Sequence, residues 1–280
     1  MREKQVQKSR HSHFISIVVP AYKAEQFIKR DLLSIKEICD KLRYQSEIIC
    51  VVDGFLDNTL NEANKIAKRF SKQIRVVGYP DNRGKGHAVK YGMAQSRGDI
   101  VAFIDAGHEI NPNSLAMLLE HFIWYNADII VGSKLHPASK VQYPWQRKVI
   151  SFGYRMVTRT LFGLKVRDTQ AGIKFYKREV LEKALPRLMV KAFAFDIEML
   201  AVAYYLGFKR IYEAPVELKM EFNSGISTIT SKKFLWTMLG MFFDTCAVFY
   251  RLYVISYYSD KNQKHWNTPT TFALTSNQES

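Results

Sequence analysis

The chain has 280 residues, of which 47% are hydrophobic, 24% charged and 13% aromatic, which excludes a disordered protein and gives apolar mass for one large domain, with or without an appendage. The formal net charge of +15 favours anionic partners (nucleic acid, anionic lipid headgroups or phosphorylated substrates) without choosing among them. Cys39, Cys50 and Cys246 have neither metal-ligand nor redox-motif spacing and read as small buried apolar residues.

In chain order, residues 1–13 form a basic N-terminal tail without the apolar stretch of a secretory leader. Phe14 to Val19 is an apolar run closed by Pro20, a buried strand. Ala24 to Leu42 has helical spacing, and Glu47 to Val52 is a second strand closed by Asp53 and Gly54. Asn58 to Phe70 reads as helix, Ile74 to Val77 as strand, Lys85 to Ser96 as helix and Ile100 to Ile104 as a strand ending on Asp105. Pro112 opens a helix through Trp124, and Asp128 to Val131 is a fifth strand. From 133 to 190 the alternation fails and the composition turns basic. Phe193 to Leu206 is helical, Lys209 to Tyr212 a short strand, and 224–231 a linker. Phe234 to Tyr258 is a long apolar, aromatic helix, read as one piece or as two broken near Asp244. The stretch 260–280 reads as a disordered polar tail.

Strands that are apolar throughout, alternating with helices, predict an open α/β sheet covered on both faces. Ligands of such sheets bind beyond the carboxyl ends of the strands. Four features gather at that rim. Pro20, Ala21 and Tyr22 put a rigid turn and an aromatic ring after the first strand. Asp53 puts a carboxylate after the second, able to accept from a base N–H edge or a ribose hydroxyl. Asn82-Arg83-Gly84-Lys85-Gly86 is a basic turn opening a helix, suited to a diphosphate. Asp105, with His108 and Glu109 behind it, offers oxygen ligands for Mg²⁺ or Mn²⁺ next to a diphosphate.

The strings IVVPAYKAE, VVDGFLDNT, NRGKGHAVKYGM, GDIVAFIDAG and IIVGSK, in this order, resemble family 2 glycosyltransferases of GT-A fold. The later strings, RKVISFGYRMVTRTLFGLKVRDTQAGIKFYKREVLEKALP and FAFDIEMLAVAYYLGFKRIYEAPVEL, resemble the polyprenyl-phosphate branch of that family. The resemblance covers roughly residues 14 to 222. It implies a Rossmann-like GT-A domain over 14–223, with an open, mainly parallel sheet; beyond it, the residues themselves read as a linker and an amphipathic aromatic membrane-interface helix or helices over 224–259. It implies inverting transfer of one sugar from a nucleotide-sugar, of the GDP-mannose or UDP-glucose type, to a polyprenyl phosphate such as dolichyl or undecaprenyl phosphate. Position by position, Pro20, Tyr22, Glu25 and Asp53 would hold the nucleoside, and Lys85 would lie near the donor. Asp105 would be the first acid of the D-x-D signature, and Glu109 would take the place of a polar residue near the metal. Lys134 replaces the arginine of a G-S-R signature, while Arg147 and Ser151 match lipid-phosphate contacts. Asp168 and Gln170 would sit on the acceptor side of the sugar.

One departure is plain: the second D-x-D acid is Gly107. Either Asp105, Glu109 and the donor diphosphate hold the metal without it, or metal dependence is weak, or the site is degenerate.

A phosphate acceptor makes chemical sense. A sugar hydroxyl must lose a proton to a general base, whereas a phosphate monoester, with a second pKa of about 6, is already largely dianionic. It needs positioning and cations. Over Gln146 to Leu161, Arg147, Ser151, Arg155 and Thr158 share one helical face, with Val149, Phe152 and Met156 on another. Asp168 stands in a basic loop, either paired with Arg167 or placed at the reaction centre. Asp196 and Glu198 read as helix-start and packing residues.

Three rivals remain. A non-catalytic nucleotide-sugar-binding protein would keep the fold, with Gly107 as its best support. A nucleic-acid module is permitted by charge, but no nucleic-acid motif appears. Transfer to a polysaccharide hydroxyl would call for several membrane spans. The reading that fits best is peripheral, at the cytoplasmic face of a membrane, through the aromatic helix and its flanking lysines Lys232, Lys233, Lys261 and Lys264; the alternatives are a helix docked on the catalytic domain and a true membrane span.

Overall fold

A computed structural model describes residues 13–107, 110–139, 145–189, 194–218 and 232–266; for 145–151 and 232–238 it describes the backbone alone. The expected alternation is present as β1 (Phe14–Ala21), α1 (Ile28–Lys41), β2 (Gln45–Asp53), α2 (Thr59–Arg69), β3 (Ile74–Tyr79), α3 (Lys85–Ala94), β4 (Ile100–Ile104), α4 (Ser114–Trp124) and β5 (Ile129–Ser133). Then follow α5 (Trp145–Phe162), β6 (Ile173–Lys177), α6 (Arg178–Ala184), α7 (Phe195–Tyr205), β7 (Ile211–Pro215) and α8 (Lys232–Phe249).

The strands form one seven-stranded sheet in the order β3-β2-β1-β4-β6-β5-β7. The pairs β1–β2, β2–β3, β1–β4 and β5–β7 are parallel. Strand β6 lies between β4 and β5, antiparallel to both. It falls inside the stretch where the sequence showed no alternation. Its apolar run is interrupted by Lys174, a residue the sheet buries completely.

Successive side chains leave a strand on opposite faces, so the buried strands feed two cores. Val18 faces a layer made with Ala88, Val89 and Met93 of α3 and most of α7. Ile17 and Val19 face the other, made with Leu32 and Ile35 of α1, Ala63 and Ile66 of α2 and Leu118 of α4. Each fully buried aliphatic side chain contributes roughly 1.5–3 kcal/mol of apolar transfer. All-apolar strands between two helical layers are what fix the rim described below.

Of the two readings of the carboxyl-terminal segment, the unbroken one is observed: α8 runs past Asp244 to Phe249 and continues as a π-helical turn, Tyr250–Val254. Val248, Leu252 and Tyr258 are buried in the core layer of α7, so one face of the segment docks on the domain. The Tyr258 hydroxyl donates to the buried Glu198 at 2.6 Å, and Arg251 turns towards the same carboxylate at 3.7 Å. The residues from Asp260 are not wholly tail: Asp260–His265 is a 3-10 turn. Arg187, nearly buried, holds it by an ion pair of 2.6 Å to Asp260 and by stacking 4.1 Å from the Trp266 ring centroid. Among the described residues no helix is long and apolar enough to cross a membrane.

Candidate active site

A cleft of about 490 Å³ opens at the carboxyl ends of the strands, and Pro20, Tyr22, Asp53, Lys85, Asp105 and Lys134 line it. These are the expected donor residues except Glu25, together with one expected acceptor residue. Glu25 does not line the cleft; its carboxylate accepts the Asn58 N–H at 2.9 Å and caps the approach to α2.

Asp53 braces the turn ahead of α3 rather than standing free. Its two oxygens accept the backbone N–H groups of Arg83 at 2.7 Å and Gly84 at 3.0 Å. The bonds hold the turn that opens α3, whose first residue is Lys85. A helix N-terminus with a lysine at its mouth is a ready cradle for a diphosphate.

Lys85 reaches across the cleft to Asp105, its Nζ 2.7 Å from Oδ2. Asp105 ends β4, and its N–H donates to the Gly172 carbonyl at 2.9 Å. Gly172 makes room for it, since a Cβ there would stand 2.5 Å from Asp105 Oδ2. Burial pushes the Asp105 carboxyl above its ordinary range, against the pull of Lys85. Its Oδ1 is buried and has no hydrogen-bond partner among the described residues. An orphaned carboxylate oxygen beside a diphosphate cradle fits one corner of a divalent-cation site. Gly107 supplies no second corner: it adopts φ +108°, and its N–H donates to Asp31 at 2.7 Å. His108 and Glu109 lie outside the described residues, and among those described no group of three metal-ligating side chains is present.

Behind Asp105 stand two charged residues that the sequence reading did not place in the site. Lys174, fully buried in β6, is ion-paired with Asp196 in the first turn of α7 and donates to the Ala171 carbonyl at 2.8 Å. Burial pulls the Lys174 pKa down, opposed by Asp196. Asp196 was expected only to start and pack its helix; its second oxygen lies 3.8 Å from Lys85. The available signal was a lysine inside the otherwise apolar run IKFYK and an acid opening the apolar helix FDIEML.

Asp168 does not pair with Arg167, which turns to Glu213 at 4.0 Å. It accepts the Lys134 N–H at 3.0 Å, and burial raises its pKa against that bond. Gln170 Nε2 is buried with no hydrogen-bond partner in the described structure. Close by, the Tyr154 hydroxyl meets Thr245 of α8 at 3.0 Å. Arg147 and Ser151 lie on α5 where only the backbone is described. Further along α5, Thr158 and Phe162 are buried and Leu161 packs on the core, while Phe152 and Met156, 56% and 46% exposed, face outward.

The sequence model of Glycosyl transferase family 2 matches residues 16–185. The chain belongs to this family. It is similar to dolichyl-phosphate beta-glucosyltransferase of Dictyostelium discoideum, with 32% identity over 69% of this chain and 63% of that protein. With the Homo sapiens protein of the same name it shares 30% identity over 68% of this chain and 63% of that one. A dolichyl-phosphate beta-glucosyltransferase of Trichomonas vaginalis is 30% identical over 85% of this chain and 74% of its own length. The family 2 chain thus spans under two thirds of the Dictyostelium and human relatives, and the relatives are those of the polyprenyl-phosphate branch.

Among solved structures, mannosyl-3-phosphoglycerate synthase from Rubrobacter xylanophilus superposes with TM-score 0.66 at 16% identity, covering 88% of this chain and 77% of that one. Glucosyl-3-phosphoglycerate synthase from Mycobacterium tuberculosis, in complex with Mn²⁺, UDP-glucose and phosphoglyceric acid, superposes with TM-score 0.62 at 19% identity, covering 87% and 83%. At such identity the likeness shows the GT-A fold alone.

Proposed function

We propose that this chain transfers one glucose, with inversion, from UDP-glucose to a polyprenyl phosphate of the dolichyl type. The observation that carries it is the Lys85–Asp105 contact at the mouth of α3, inside the strand-end cleft. Glucose and the lipid phosphate are chosen over GDP-mannose and other acceptors because the relatives carry the name dolichyl-phosphate beta-glucosyltransferase. UDP is supported by the Mycobacterium neighbour crystallised with UDP-glucose.

In this reading Pro20, Tyr22 and Asp53 face the nucleoside, and the α3 N-terminus with Lys85 faces the diphosphate. A divalent cation would neutralise the departing diphosphate, with Asp105 as its described protein ligand and Glu109 as a further candidate. Lys134, Arg147 and Ser151 would hold the acceptor phosphate, and Asp168 and Gln170 would face it across the sugar. The acceptor oxygen is already charged, so no group has to remove a proton; the protein's work is alignment and charge compensation.

The lipid acceptor calls for a membrane face, peripheral and on the cytoplasmic side. Phe152 and Met156 of α5, Phe242 and Phe243 of α8, and Tyr250 and Tyr253 of the π turn are all exposed. Aromatics presented this way favour the headgroup boundary. The test offers UDP-glucose with Mg²⁺ or Mn²⁺ and compares a polyprenyl phosphate with the matching polyprenol. Product from the phosphate alone supports the reading. Product from the free alcohol removes the argument that no base is needed.

A further inference from the structure

Four charges run inward from the cleft. Lys85 Nζ lies 2.7 Å from Asp105 Oδ2 and 3.8 Å from Asp196 Oδ2. Asp196, 2% exposed, gives its other oxygen to Lys174. Lys174 is itself fixed by its 2.8 Å bond to the Ala171 carbonyl. Asp196 is therefore pinned with Oδ2 turned towards Lys85. The Phe103 ring centroid lies 5.3 Å from the Lys85 ammonium and 5.2 Å from that of Lys174, an aromatic wall shared by both cations.

A divalent cation arriving at Asp105 meets an ammonium already bonded to the same carboxylate. Like charges this close repel strongly where water is scarce. An anion that takes up the Lys85 charge would keep it in the cleft, and Asp196 already stands 3.8 Å away. We propose that Asp196 is a positioning residue that accepts the Lys85 ammonium when a divalent cation takes Asp105. A shift of about 1 Å would bring the 3.8 Å separation into ordinary hydrogen-bond range. Lys85 then stays at the α3 N-terminus, facing the diphosphate, and the cation loses its competitor. The buried Lys174 serves to hold Asp196 in place for that exchange. The inference rests on the donor and metal use set out above, not on which lipid is the acceptor.

The test is Mn²⁺ binding to the full chain, alone and with UDP, by calorimetry or by the EPR signal of free Mn²⁺. Asp196→Asn should weaken Mn²⁺ by roughly 10- to 100-fold, the range for losing an outer partner of a metal ligand. Lys85→Met should bind Mn²⁺ at least as tightly as wild type, and Asp196→Asn in the Lys85→Met background should add no loss. Equal affinity of wild type and Asp196→Asn overturns the inference. So does the same loss with and without Lys85, because Asp196 would then act by general charge. If Asp196→Asn does not fold with Lys174 left unpaired, Asp196→Asn/Lys174→Met removes both charges and is judged by the same outcomes. Wild type that binds no Mn²⁺ overturns the inference and the metal reading together. A chain that binds Mn²⁺ as predicted yet transfers no sugar leaves the inference standing and removes the transferase reading.

Discussion

The backbone N–H of Lys134 donates to Asp168 Oδ2 at 3.0 Å, tying the end of β5 to the segment that leads into β6. Glu213 of β7 holds the same segment by accepting the Arg167 and Asp168 N–H groups at 2.6 and 3.0 Å. Asp168 is thus fixed from both sides. Asp168→Asn keeps an acceptor for Lys134 and removes only the charge. If the carboxylate faces the reacting sugar, this variant should lose at least about tenfold in turnover, one step of roughly 1.4 kcal/mol in the barrier, with an unchanged melting temperature. Wild-type turnover would reduce Asp168 to a clamp.

Asp105→Ala should lower turnover at least about a hundredfold, as removal of a preorganised electrostatic contact does. The fold should survive, because the Asp105 side chain lines the cleft and is 37% exposed. Steady-state rates with a thermal melt on the same sample decide it. Near-normal rates would mean that the donor is held elsewhere.

Restoring an acid at position 107 is not the simple repair that the D-x-D pattern suggests. A Cβ would find room, with Phe27 Cε2 3.9 Å away, but φ is +108°. Both Gly107→Ala and Gly107→Asp should cost about 1–3 kcal/mol of unfolding free energy, the strain of an L-residue in that region. Denaturant unfolding of the pair would show it; no loss in Gly107→Ala would mean that the backbone relaxes.

The carboxyl-terminal segment carries two faces that separate experimentally. Truncation after Thr230 strips Val248, Leu252 and Tyr258 from the core and should give an aggregating or unfolded protein. Phe242→Ser/Phe243→Ser alters side chains that are 45% and 67% exposed, so it should leave the melting temperature within a few degrees. It should weaken sedimentation with anionic liposomes. Undiminished sedimentation would place the membrane contact elsewhere.

The strand-end residues were legible because each lies at the end of an apolar run: Asp53 ends β2, Asp105 follows β4, and Pro20 falls one residue inside the end of β1. The basic turn that opens α3 was legible from its Gly-Lys-Gly string. What stayed hidden was hidden by long-range pairing. Lys174 makes β6 look like a basic loop, and only its partner Asp196, 22 residues on, neutralises it in the interior. Likewise Arg251 interrupts the aromatic helix as a surface charge would, yet it turns in to Glu198. Local pattern reports what a side chain is, not which distant charge will meet it. The 3-10 turn at Asp260, held by Arg187, was missed on that account.

The most direct test of the account is transfer itself: the purified full chain, Mg²⁺ or Mn²⁺, UDP-glucose labelled in the sugar, and dolichyl phosphate in detergent or liposomes, with the lipid fraction analysed by mass spectrometry and by the anomeric configuration of the product. The account predicts a β-linked glucosyl phosphoryl lipid, formed in proportion to enzyme and abolished by Asp105→Ala. Bound UDP-glucose with no lipid-linked sugar, across a full panel of nucleotide-sugars, would contradict it and identify a binding protein on a transferase fold.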